Sequence, residues 1–151
     1  MSLRFSYQRF KVKHPIPSLA GRQERPRPIL AVTLIGPSGS CSEDALLDTG
    51  ADDTLFPEAL ATVLGVDLSQ APSGTGAGFG MHAATVRYAE VTLRIADNQE
   101  QREWKAEVGF TSARLRQPLL GYAGVLQFFT ATFHGDREEL ELAVNATYPG
   151  S

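Results

Sequence analysis

Apolar and polar residues alternate over short stretches along most of this chain, the period of half-buried β-strands rather than of long helices. Residues 3–13 alternate loosely, through Leu3, Phe5 and Tyr7 and then Phe10 and Val12, and predict an N-terminal strand. His14-Pro15-Ile16-Pro17 and Arg25-Pro26-Arg27-Pro28 bracket a stretch that cannot be helical, because each proline biases the residue before it to extended backbone. Residues 14–27 therefore read as an exposed connector. Residues 29–35 form a strong strand ending at the turn Gly36-Pro37-Ser38-Gly39-Ser40, and residues 45–48 return as the next. A short helix is predicted from Phe56 to Gly65, with Pro57 at its first position, Glu58 beside the positive end and Gly65 as the stop. Gly74, Gly76, Gly78 and Gly80 alternate through a glycine-rich segment. Beyond it, residues 85–95 are extended, but the apolar phase slips between Tyr88 and Val91, which predicts a bulge at Ala89-Glu90. Asp97-Asn98 is a turn, and Trp104, Ala106, Val108 and Phe110 mark another strand. Leu119-Leu120-Gly121 reads as a buried strand end, residues 122–129 as one or two helical turns, and residues 130–144 as a hairpin about His134-Gly135-Asp136-Arg137. The class is all-β with one or two short helices.

Composition narrows this reading. A chain of 151 residues with 42% hydrophobic and 21% charged positions suits one globular unit with a real core. No apolar run approaches the roughly 18 residues of a membrane span, and no apolar segment follows the first basic residues as a secretory signal requires. Cys41 is the single cysteine, so no intrachain disulfide forms and a reducing, cytoplasmic setting is expected. His14, His82 and His134 have no metal-ligand spacing to one another or to Cys41, and no metal or cofactor is expected. The glycine-rich segment is not a phosphate loop, since no Lys-Ser/Thr or helix start follows it.

The charge is lopsided. Residues 1–28 carry seven bases against one acid, a net +6, while the remainder carries seven bases against sixteen acids, a net −9. A basic arm can serve nucleic acid or a membrane surface. Here the bases are interleaved with Phe5, Tyr7, Phe10 and Val12 rather than run together, which favours a solvated strand face and neither of those partners.

The chemistry concentrates at Ala45-Leu46-Leu47-Asp48-Thr49-Gly50-Ala51-Asp52-Asp53-Thr54. Three apolar residues deliver Asp48 to a strand end, and Gly50 lets backbone approach it. A carboxylate carried towards apolar surroundings costs several kcal/mol unless paired, hydrogen-bonded or neutralised. The bland reading is a structural Asp capping a turn. Against it stand the glycine-rich segment and Leu119-Leu120-Gly121 further along the chain.

In this wording and order the chain resembles the retropepsin-like aspartic proteases, whose signature is an apolar pair followed by Asp-Thr/Ser-Gly-Ala. The resemblance spans about residues 29–144 and is most specific at 45–54. It implies a closed, mostly antiparallel acid-protease barrel. Residues 1–28 are then a basic strand and connector, and 29–151 the protease domain. It further implies an endopeptidase with Asp48 as the catalytic acid and Thr49, Gly50 and Ala51 supporting its loop. Asp52, Asp53, Gly76, Gly78, Phe79 and Gly80 would contact a polypeptide substrate, and Leu119, Leu120 and Gly121 would pack beside the loop. Residues 73–85 would be the flap. Only one Asp-Thr-Gly is present, so the dyad requires a homodimer. One departure stands out: Tyr122-Ala123 occupy the place where a family Arg commonly pairs with the acid equivalent to Asp52, so Asp52 needs Arg87 or an N-terminal Arg instead. A catalytically silent member that binds a peptide or partner in the same groove is the alternative function.

Overall fold

The computed structural model describes residues 2–79 and 82–151, with backbone only for residues 75–79, 82 and 83. It is an all-β structure of three sheets with one short α-helix. The largest sheet contains β4 (Ile29–Ile35), β5 (Ser40–Leu47), β6 (Leu55–Pro57), β7 (Ser73–Phe79), β8 (His82–Ala96), β9 (Gln101–Thr111) and β10 (Leu119–Leu120). Its order is β4-β5-β10-β6-β9-β8-β7, and β4 also pairs with β8 through Thr33–Arg94, Leu34–Leu93 and Ile35–Thr92. That last pairing closes six of the strands into a ring and leaves no edge between them. The pairings are antiparallel except β5 with β10 and β6 with β9.

The alternating patterns of β4 and β9 resolve as expected. Leu30, Val32 and Leu34 turn inward with Leu93, Trp104, Ala106, Val108 and Phe110, and all are buried. The predicted bulge at Ala89-Glu90 is absent: β8 pairs with β9 in unbroken register from Val86–Thr111 to Ala96–Gln101. The phase slip has another cause. Val91, Leu93 and Ile95 face the ring interior, whereas Val86 lies on the opposite side of the strand and is covered there. A Cβ at Gly109 would meet Val86 Cγ1 at 2.5 Å and Leu55 Cδ2 at 2.6 Å, so the bare glycine lets β6 and β8 close over β9.

The helix is shorter than predicted. Pro57 ends β6, because Phe56 and Pro57 continue the parallel ladder to Phe110 and Thr111, and α1 spans Ala59–Leu64 with Glu58 as its N-cap. Gly65 does stop it, with φ +74°. The predicted turns after residue 122 reduce to one 3-10 turn at Leu126–Phe128.

The connector expected at residues 14–27 is instead half of a hairpin. β2 (Gln8–Ile16) and β3 (Arg22–Arg27) pair antiparallel, joined by a 3-10 turn at Pro17–Leu19. The prolines exclude helix but favour extended backbone, which an isolated two-stranded ribbon accommodates as readily as a linker does. Before it, β1 (Ser2–Ser6) pairs with β12 (Glu139–Val144), which pairs in turn with β11 (Phe129–His134). Leu3 is buried in the main core. Much of the basic charge is satisfied internally: Arg22 meets Glu138 at 2.7 Å, Arg9 meets it at 3.6 Å, and Arg4 reaches Glu139 at 3.2 Å. No helix among the described residues is long and apolar enough to cross a membrane.

The N-terminal strand should therefore carry stability. Leu3→Ala is expected to lower the unfolding free energy by about 2–5 kcal/mol, the range for emptying a buried leucine site. Urea unfolding measures it, and a loss below about 1 kcal/mol would show that β1 packs only loosely.

Candidate active site

The site forms where a two-residue strand is inserted between two others. β10 pairs parallel with β5 (Leu119–Leu46, Leu120–Leu47) and antiparallel with β6 (Leu119–Leu55). Alternate carbonyls of this segment hold the end of β5: Leu46 N–H donates to Pro118 O at 2.9 Å and Asp48 N–H to Leu120 O at 3.0 Å. Leu47 N–H donates to Pro28 O at 3.0 Å. Leu47 and Leu120 are buried, and Asp48, the next residue of its strand, emerges half-buried.

A tight turn follows. Gly50 N–H donates to Asp48 Oδ1 at 2.9 Å and Ala51 N–H to Asp48 O at 3.2 Å. The Asp48 carboxylate thus helps to fold its own loop through one oxygen. Oδ2 has no hydrogen-bond partner among the described residues. Thr49 and Gly50 are exposed. Asp48 and Thr49 open onto a hollow of about 310 Å³ that Pro28, Leu46, Leu47 and Phe133 also line.

The far side of the loop rests on Gly121. A Cβ there would lie 2.7 Å from Ala51 O and closer still to Asp53 O, so a side chain of any size would push residues 51–53 away. Tyr122 N–H donates to Ala51 O and Ala123 N–H to Asp52 O, both at 2.9 Å. Leu119, Leu120 and Gly121 thus lie between the end of β5 and the loop of residues 51–53. Asp52 is exposed. Arg87 donates instead to Leu68 O, and among the described residues no base pairs with Asp52.

Two residues that sequence reasoning passed over hold this arrangement. Thr54 is buried. Its hydroxyl donates to Ala123 O at 2.8 Å and accepts from Gly121 N–H at 3.2 Å, while its carbonyl accepts from Gly109 N–H at 2.8 Å. Losing that hydroxyl would leave the buried Gly121 N–H unpaired, at about 1–3 kcal/mol, and would also take the partner of the part-buried Ala123 O. The only sequence signal was a threonine at the end of the motif. Tyr88 is the second, and it looked like one more apolar position of a strand. Its hydroxyl donates to Asp53 Oδ2 at 2.8 Å. Its ring lies against Gly74, where a Cβ would come within 3.2 Å. Tyr88 N–H also donates to Pro72 O at 2.9 Å. Tyr88 therefore joins the base of the β7–β8 hairpin to the Asp48 loop.

That hairpin occupies the segment predicted as a flap. Gly76 pairs with Ala84 and Phe79 with His82, with a register shift between the two pairs, and Gly78 lies on β7 between them. Gly80 and Met81 lie outside the described residues.

The chain is similar to the crystal structure of a retropepsin-like aspartic protease from Rickettsia conorii, at 18% identity and a TM-score of 0.49, covering 94% of this chain and 90% of that one. It is also similar to EIAV protease complexed with the inhibitor HBY-793, at 20% identity and a TM-score of 0.38, covering 63% of this chain and 81% of that one. No protein-family model matches the chain, and no curated protein does.

Burial, reinforced by the Asp53 carboxylate, pushes the Tyr88 hydroxyl up to about 12, from an ordinary value of 10.0. The folded protein therefore holds this proton more tightly than the unfolded chain does. The resulting stabilisation is complete below about pH 10 and is lost as the pH rises through about 12. Tyr88→Phe is expected to remove that share of the alkaline loss of stability, as seen by comparing thermal unfolding of the two proteins between pH 9 and pH 12. Identical alkaline profiles would show that the Tyr88–Asp53 bond is not maintained in solution.

Proposed function

We propose that the protein is an aspartic endopeptidase of the retropepsin-like type, acting as a homodimer on polypeptide substrates. The observation that carries the reading is the state of Asp48. Its backbone and Oδ1 are tied into a loop braced by Leu120, Gly121 and Thr54, while Oδ2 has no hydrogen-bond partner among the described residues, and Asp48 lines a hollow. Rigid placement with one unengaged oxygen suits a carboxylate that must meet a water and a second carboxyl group.

Hydrolysis by this route needs two carboxyl groups sharing one proton. One carboxylate takes a proton from the attacking water, and the other carboxylic acid gives its proton to the carbonyl oxygen of the scissile bond. Two like charges a few ångströms apart do not both ionise readily, which divides the roles between acid and base. The chain has a single Asp-Thr-Gly, so the second carboxyl is Asp48 of a second copy and the site lies on the two-fold axis. Thr49, exposed next to Asp48, faces that axis in this arrangement, and Gly50 and Ala51 leave room for substrate backbone. Asp52, Asp53 and the hairpin residues Gly76, Gly78 and Phe79 border the bound peptide, and the same role is proposed for Gly80. Residues 29–151 form the protease unit, preceded by the basic segment 1–28.

Asp48→Asn is expected to fold and dimerise as the parent does, because an amide oxygen still accepts from Gly50 N–H. Its cleavage of unfolded casein should fall at least about 100-fold, the lower end of what a positioned acid–base group contributes. Circular dichroism and sedimentation check the first expectation, and a fluorescent casein assay the second. Casein turnover within twofold of the parent's would refute the role of Asp48. No turnover by either protein would favour a silent, peptide-binding member of the fold.

A further inference from the structure

Six arginines of this protein lie within ion-pair distance of carboxylates: Arg4, Arg9, Arg22, Arg94, Arg102 and Arg137. Arg27, Arg114 and Arg116 do not, among the described residues, and all three border one hollow of about 340 Å³. Leu46 and Leu119, register partners across β5 and β10, also line it. Leu46 lines the hollow of Asp48 and Thr49 as well, so the two lie side by side on the strand that carries the Asp48 loop. Arginines without a carboxylate partner among the described residues, set beside two leucines in a protein of net charge −3, form a local positive site of defined size. Glu43 and Asp44 share a neighbouring hollow with Arg116 and lie outside ion-pair distance of it.

We propose that this hollow is a substrate subsite that selects an acidic side chain near the scissile bond. The inference rests on the protease reading above. It names the class of substrate: unfolded polypeptide with Glu, or the shorter Asp, a few residues from the cut. The methylenes of a glutamate lie against Leu46 and Leu119, and its carboxylate accepts from Arg114 and Arg116, with Arg27 adding charge from β3. Carboxylate–guanidinium hydrogen bonds are the strong, directional kind, and a neutral amide of the same shape forfeits the charge. A preference of about tenfold for Glu over Gln is the scale expected of such a site.

The test maps the cuts made in unfolded casein by mass spectrometry. Peptides spanning one cut are then made with Glu or Gln at each neighbouring position. At one position Glu should raise kcat/KM about tenfold over Gln, chiefly through KM, and the ratio should shrink at high salt as exposed charges are screened. In the Arg114→Gln/Arg116→Gln variant that ratio should fall towards one. Arg116→Glu should shift the preference towards Lys at the same position, a gain that misfolding cannot imitate. A ratio of one at every position in the parent protein, or a ratio that survives in the double variant, overturns the proposal. Should no peptide be cut, the protease reading fails on its own, and the subsite is decided by binding. Fluorescence anisotropy with matched Glu and Gln casein peptides on Asp48→Asn then supports it if Glu binds tighter and refutes it if the two bind equally.

Discussion

The site depends on one close backbone crossing. The loop of residues 51–53 passes over Gly121 at a distance that excludes any side chain, and the Thr54 hydroxyl locks the crossing by bonding both Ala123 O and Gly121 N–H. Everything that positions Asp48 follows from it. With Gly121 under the loop, Leu119 and Leu120 lie between β5 and β6, and the carbonyls of Pro118 and Leu120 fix the end of β5. A strand of two residues has little stability of its own. It is held by the buried side chain of Leu120 and by pairing on both sides, so the loop and the core form together.

The closed ring serves the same end. With β4 paired to β8, six strands share one interior, and β5, which leads into Asp48, is one of them. A carboxylate placed there is anchored from behind by apolar packing and left free in front, which separates the residues that carry stability from the one proposed to carry chemistry. Tyr88 extends the coupling outwards. It is the described side-chain bond from the base of the β7–β8 hairpin to the loop, reaching Asp53 five residues after Asp48. In the proposed function, an event at the hairpin is therefore one strand away from the catalytic turn.

Much of this was legible in the sequence, for identifiable reasons. β4 and β9 were readable because one face of each is covered along its length, and Gly65 because a helix stop needs a left-handed residue. The motif at 45–54 marks the strand end and turn at Asp48, and Leu119-Leu120 a buried strand end that pairs beside it. The failures share a cause. The bulge expected at Ala89-Glu90 assumed that a strand has one inner face, but β8 is covered on opposite faces at its two ends. The local preference of Pro57 fits a helix start and a strand end alike, and the parallel ladder to β9 decides between them. The hairpin at residues 8–27 was hidden for a similar reason: proline identifies extended backbone but not its partner. Thr54 and Tyr88 were illegible as supports because their roles are hydrogen bonds to residues 69 and 35 positions away, which no local spacing encodes.

The central claim is that two copies of Asp48 make one catalytic site. Mixing parent and Asp48→Asn protein at fixed total concentration, with subunit exchange allowed to reach equilibrium, tests it directly. If each site needs both carboxyl groups, activity follows the square of the parent fraction, about one quarter in an equal mixture. Activity proportional to the parent fraction would mean that each chain works alone, and it would contradict the account.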